Sequence, residues 1–146
     1  MVEYDGAPDG AIRALLWNAP VGIGVARERI IEDANEALCT LVGYSRDELL
    51  GLDVRVFYES DEEYHRVGKI KYASTDIGGW AEVETRWITK GGRTIDVHLS
   101  SAYLDPKDPE QGIAFMARDI SERKRTEREF LIQNARWYEL FANAPE

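Results

Sequence analysis

Apolar residues recur along this chain with two different periods, and the change from one to the other divides it into a helical and a strand-rich half. From Asp9 to Asn18, Ile12, Leu15 and Leu16 stand at helical spacing and Pro20 closes the run, which predicts a short amphipathic lead helix. Gly22 to Glu28 and Ile30 to Ala34 read as short strands joined by a turn around Arg27 to Arg29. Asn35 suits an N-cap, Ala37, Leu38, Leu41 and Val42 fall on one helical face, and Gly43 supplies the stop. Ser45-Arg46-Asp47-Glu48 has the form of a capping box, followed by Leu49-Leu50-Gly51 as a second short helix and its end. A third helical stretch is expected between Val54 and Tyr72, with Ser60 or Asp61 as N-cap and Tyr64, Val67 and Ile70 or Lys71 on a mixed face.

Beyond Gly79 the period becomes two. Ala81, Val83, Thr85 and Trp87 alternate with Trp80, Glu82, Glu84 and Arg86, the pattern of a half-buried strand. Lys90-Gly91-Gly92-Arg93 predicts a hairpin turn, after which Ile95, Val97, Leu99, Ser101 and Tyr103 share a face opposite Asp96, His98, Ser100 and Ala102. A loop rich in Pro and Asp, from Asp105 to Gly112, leads to a strand from Ile113 to Ile120. From Ser121 to Ala142 the sequence turns charged and helical, with Leu131, Asn134, Tyr138 and Phe141 spaced by threes and fours. Such a helix cannot bury its own stripe, so a partner copy is expected against Leu131 and Tyr138, and likewise against Ile12, Leu15 and Leu16 of the lead helix.

Composition narrows the class. At 146 residues and 44% hydrophobic content, the chain suffices for one core and is too short for two ordinary domains. A net charge of −9 disfavours nucleic-acid or anionic-membrane partners, which are bound through clustered Lys and Arg. No run reaches the roughly 18 apolar residues of a membrane span. The single cysteine, Cys39, excludes an internal disulfide and any multi-cysteine metal site, and with it we expect a cytoplasmic setting. The organisation expected is a tail and lead helix over 1–20, a core over 21–121, and a charged linker helix over 122–146. Leu15-Leu16-Trp17-Asn18-Ala19-Pro20 recurs as Leu140-Phe141-Ala142-Asn143-Ala144-Pro145, so the linker is expected to run into a second copy of the module.

Several local sequences, in this order, resemble a PAS domain of the bacterial signal-transduction type. They are Asn18-Ala19-Pro20-Val21-Gly22-Ile23, Asn35-Glu36-Ala37-Leu38, Gly43-Tyr44-Ser45-Arg46-Asp47-Glu48-Leu49-Leu50-Gly51, the hairpin Lys90 to Arg93, and Arg118-Asp119-Ile120-Ser121-Glu122-Arg123-Lys124. The resemblance runs from about Ala11 to Lys124. It implies an α+β fold, a five-stranded antiparallel sheet with short helices over one face, used to sense a small molecule, light or redox state, or to mediate dimers. It further implies that Asp119, Ile120 and Ser121 are the signal exit, with Asp119 engaging a nearby basic residue and Ser121 capping the outgoing helix; plain helix capping by both is the alternative.

Candidate chemistry is sparse. Cys39 lies outside the Asn-Cys-Arg-Phe pattern that a flavin-reactive cysteine would need, and packing is its expected role. His65 stands where haem-binding members carry a proximal histidine, but Trp87 occupies space a macrocycle would need; cofactors are thus left unassigned, with none favoured over haem or flavin. His98, beside Asp96 and Ser100, is expected at solvent or an interface. No nucleophile–base pair, paired carboxylates or phosphate loop is legible, so neither a catalytic nor a metal site is assigned. What remains is a cavity between sheet and helices, with expected lining Val83, Thr85, Trp87, Val97, Leu99, Ser101, Ile113 and Phe115, closed by Phe57, His65 and Tyr72. Thr85 and Ser101 need hydrogen-bond partners that a ligand or water would supply; ordinary core packing is the other reading.

The function expected is that of a sensor that binds a small molecule and signals through the C-terminal helix to an output domain. The candidate outputs are a histidine kinase of a two-component system, a cyclic-dinucleotide enzyme or a chemoreceptor. A ligand-free dimerisation and relay module is the second expectation.

Overall fold

A computed structural model describes residues 7–75 and 80–142, without the side chains of residues 7–9, 12 and 72–75. The elements run α1 (Ala7–Trp17), β1 (Gly22–Arg27), β2 (Ile30–Ala34), α2 (Glu36–Val42), α3 (Arg46–Leu49), a 3₁₀ turn at Val54–Phe57, α4 (Asp61–Thr75), β3 (Trp80–Ile88), β4 (Thr94–Tyr103), β5 (Ile113–Asp119) and α5 (Ser121–Ala142). The strands form one antiparallel sheet in the order β2-β1-β5-β4-β3, the five-stranded arrangement expected, with short helices packed on its inner face.

Local chemistry accounts for the boundaries. Asn35 Oδ1 accepts from the Leu38 amide at 2.9 Å and starts α2; Gly43, at φ 79°, ends it. Ser45 and Glu48 complete the reciprocal capping box of α3. Ser60 Oγ accepts from the Glu63 amide at 3.2 Å, and Asp61, Glu62 and Glu63 place negative charge at the positive end of α4. On β3, Ala81, Val83, Thr85 and Trp87 are buried and the residues between Trp80 and Arg86 that alternate with them are exposed, as the period of two requires.

The core lies between this face and α2 to α4. Phe57, fully buried, stacks on Trp87 with ring centroids 4.8 Å apart and meets Tyr44 at 6.1 Å. Gly24 is where β1 passes beneath Phe115: a Cβ there would stand 2.4 Å from Phe115 Cζ. Both sheet edges are engaged. Beside β2, the Ile31 amide donates to Leu52 O, the Gly51 amide to Ile31 O and the Val54 amide to Arg29 O. Beside β3, the Arg66 guanidinium donates to Glu84 O at 3.1 Å.

Candidate functional site

Helix α4 presents Tyr64, Val67, Gly68 and Lys71 to the core at spacings of three and four. Beneath it the β1–β2 hairpin turns through Glu28 and Arg29, both in the left-handed region at φ 51° and 67°. That turn sends the Arg29 side chain under α4. Its Nη1 donates to Tyr64 O at 2.8 Å, its Cζ lies 3.6 Å from the Tyr64 ring centroid, and its Nη2 is buried without a hydrogen-bond partner. Gly68 makes the crossing feasible, since a Cβ there would come within 2.7 Å of Nη1.

Arg29, Tyr58, Lys71 and Trp87 share a small core void of about 20 Å³ with Leu99, Ile113 and Phe115, enough for about one water. Burial and, secondarily, Arg29 hold the Lys71 ammonium down at about 8. Burial pushes the Tyr58 phenol up, while the Trp87 indole N–H and the Arg29 guanidinium oppose that shift. The indole N–H nonetheless falls short of hydrogen-bond geometry and stands unpartnered. A wider groove of about 630 Å³ lies outside the core, where Trp17 to Gly22 and α2 meet the end of β5.

Of the expected lining, Trp87, Leu99, Ile113 and Phe115 reach this void. Phe57, Val83, Val97 and Ser101 are buried in the core away from it, Ser101 with an unpartnered hydroxyl. The Tyr72 side chain lies outside the described residues, as does that of Ile12. Two expectations need correction. His65 is exposed, because it stands one residue, about 100° of helix, away from the inward row through Tyr64 and Gly68. Thr85 has no need of a ligand partner: its hydroxyl donates to Glu63 Oε2 at 2.6 Å. Ala26, Arg29, Val54, Tyr58 and Lys71 line the void without having been assigned to it from sequence.

The exit segment also differs in detail from expectation. Asp119, exposed at the end of β5, accepts from the Ser121 amide, the first of α5, at 2.8 Å, which is the capping alternative, and among the described residues it pairs with no basic side chain. Ser121 Oγ accepts from the Asp96 amide at 2.9 Å, so it ties α5 to β4 and caps no amide of its own helix. The buried Ile120 donates to Asp96 O at 2.8 Å. Asp96 Oδ2 then holds Arg128 at 3.0 Å, while Glu84 on β3 holds Arg123 at 2.5 Å and Lys124 at 2.7 Å. On the other side of β3, Glu63 pairs with Arg66, which also reaches Glu84 O. The root of α5 is thus bonded to the strands that floor the core, through Asp96 and Glu84, which the alternation marked only as outward-facing.

These pairs make a pH prediction. Hydrogen bonds from Lys124 and Arg123 hold the Glu84 carboxyl at about 2, below its ordinary 4.5. Because the folded value is depressed, the tie is complete above about 4.5 and is lost as pH falls toward about 2. Carboxyl NMR is expected to find Glu84 titrating in the lower half of that window, and R123A/K124A to move it back toward 4.5. An unchanged titration in the double variant would dissolve the tie.

This sheet order, with α5 leaving from the end of β5, is a fold that comparison with known proteins names. A family profile described as PAS domain matches residues 19–122. The sensor protein TdiS of Thauera aromatica is 29% identical over 125 residues, which is 86% of this chain and 23% of TdiS; the chain thus spans about a quarter of that relative. A domain of the sensory box sensor histidine kinase/response regulator from Geobacter sulfurreducens is 31% identical, over 77% of this chain and 94% of that one, with a TM-score of 0.59. The PAS domain of a LuxR-family transcriptional regulator from Burkholderia thailandensis, in complex with ethanol, is 26% identical over 75% and 96% of the two chains, with a TM-score of 0.67. The chain belongs to the PAS domain family.

Proposed function

We propose that this PAS domain admits a small molecule to the void beneath α4 and passes the resulting shift of the sheet to α5. One observation carries the reading: the Arg29 Nη2 and Trp87 Nε1 donors face a core void without protein partners. Buried donors in native cores are nearly always matched, so a pair left open on one void suits a ligand. The route outward starts at the same strands, since β3 and β4 hold the root of α5 through Glu84 and Asp96. The ligand biases the output only by its differential affinity for two arrangements of that root. Native mass spectrometry beside a denatured control tests this directly. An added mass lost on denaturation is the expected result; the bare chain mass from samples prepared without dialysis would count against a resident ligand.

A dimerisation and relay role without ligand has its own support. Leu15, Leu16, Phe130, Leu131, Tyr138 and Phe141 are all exposed, Leu131 at 66%, and the stripe on α5 has heptad-like spacing. We expect L131E/Y138E to weaken self-association by about tenfold or more in sedimentation equilibrium while leaving the melting temperature of the core unchanged, since neither residue touches it. Undiminished association would remove α5 from the interface. The repeat at Leu140 supports a second module downstream, although residues 143–146 lie outside those described.

Among the described residues the core offers haem or flavin no ready seat: the void holds about one water, Phe57 packs against Trp87 beside it, His65 faces outward, and Cys39 is buried in α2. The domain acts as a non-catalytic sensor, and the TdiS and histidine-kinase relatives support a two-component output. No helix among the described residues is long and apolar enough to cross a membrane.

A further inference from the structure

The β1–β2 turn contains an anomaly that packing alone does not explain. Two-residue hairpin turns with both central residues at positive φ are ordinarily Asn-Gly or Asp-Gly, yet here the residues are Glu28 and Arg29. A bulky side chain in the left-handed region is strained, because its Cβ crowds the neighbouring carbonyl. What the turn achieves is to send a half-buried guanidinium beneath α4, where Nη1 finds Tyr64 O and Nη2, sealed from water, finds no hydrogen-bond partner. A charged N–H group sealed from water with no acceptor is costly, and strain held in place to create it points to an occupant.

The surroundings define that occupant's chemistry. Among the described residues, no acidic side chain lines the void. Arg29 and Lys71 contribute positive charge, and the Trp87 indole N–H, on a side chain 2% exposed, adds a second unpartnered donor. The Tyr58 phenol adds one further polar group, and the rest of the wall, with Leu99, Ile113 and Phe115 among it, is apolar. A ligand here must accept hydrogen bonds, carry negative charge and bring a small apolar tail. We propose that the void is the seat of a short aliphatic monocarboxylate, whose oxygens take the open N–H groups of Arg29 and Trp87 and whose tail lies toward Ile113. This rests on the sensor reading above and supplies its ligand class. Because the void holds about one water, the tail requires α4 to move away from the sheet, and α4 carries the Glu63 and Arg66 contacts to β3.

The test is a titration of the chain with propionate, and separately with propionamide and 1-propanol, followed by ¹H–¹⁵N NMR at constant ionic strength set with chloride. Propionate is expected to shift the Trp87 indole N–H resonance saturably, and the two neutral analogues to leave it in place. Arg29→Gln should weaken propionate about tenfold or more, the scale of losing a charge-assisted hydrogen bond. Should that variant fail to fold, Trp87→Phe keeps the ring and removes the donor; read from the core methyl resonances, it should weaken propionate several-fold. Saturable shifts with propanol or propionamide and none with propionate would overturn the carboxylate proposal and leave the sensor reading intact. Shifts matched by chloride or phosphate would mark a nonspecific anion effect and overturn it too. No response to any of the three, together with the bare chain mass in native spectra, would remove both.

Discussion

Replacing Asn35 with alanine is expected to destabilise the domain by about 3 kcal/mol or more, and so to lower its melting temperature by about 10 °C. The side chain is 1% exposed, and every hydrogen-bonding position on it is used. Its Oδ1 accepts from the Ile23 amide at 2.8 Å and the Leu38 amide at 2.9 Å, and its Nδ2 donates to Trp17 O and Val21 O, each at 3.0 Å. Alanine removes all four bonds and strands two amides and two carbonyls at the junction of α1, β1 and α2. Asn35→Asp separates the contributions. It keeps both acceptor bonds but turns a carboxylate oxygen toward the carbonyls of Trp17 and Val21, so it should also destabilise, through the link to the lead helix. Thermal denaturation followed by circular dichroism gives both values. An Asn35→Asp protein as stable as the parent would mean that the two donor bonds contribute nothing.

Phe57→Ala is expected to lose about 3–5 kcal/mol in urea denaturation, the range for deleting a large aromatic side chain from a packed core. Phe57 is fully buried between Tyr44 and Trp87, so the void left behind would be walled by rings that cannot collapse into it. Phe57→Leu should recover more than half of the loss by refilling most of the volume. A loss below about 1 kcal/mol for alanine would mean that the aromatic cluster is not what holds the 3₁₀ turn to the sheet.

Element types and most boundaries were readable because their causes are local. Asn35, the Ser45–Glu48 box and Gly43 announce helix ends through their own side chains and backbone, and β3 alternates without interruption. The buried strand faces followed from the same alternation. The void did not, because its distinguishing residues come from a turn and a helix that meet only in three dimensions. The one signal that could have flagged Arg29 was negative: a tight hairpin at Glu28-Arg29 with neither Gly nor Asn to take the left-handed conformation. His65 was misplaced because α4 has a mixed face, and an error of one residue rotates a helical side chain out of the core. The anchors of α5 were hidden for another reason. Charged outward residues such as Glu84 and Asp96 look alike whether they meet water or another element, and only Ser121 bonding back to β4 distinguishes them.

The contacts along the two sheet margins determine how copies of this protein can meet. A free strand margin offers a ladder of unpaired amides and carbonyls on which a foreign strand can assemble, the usual start of fibrous aggregation. Here the 51–54 segment occupies the margin of β2, and Arg66 blocks the middle of β3 at Glu84. A strand from a neighbouring molecule would have to displace one or the other before it could extend the sheet. Extension of the sheet by a foreign strand, the open-ended route to assembly, is thereby obstructed at both margins.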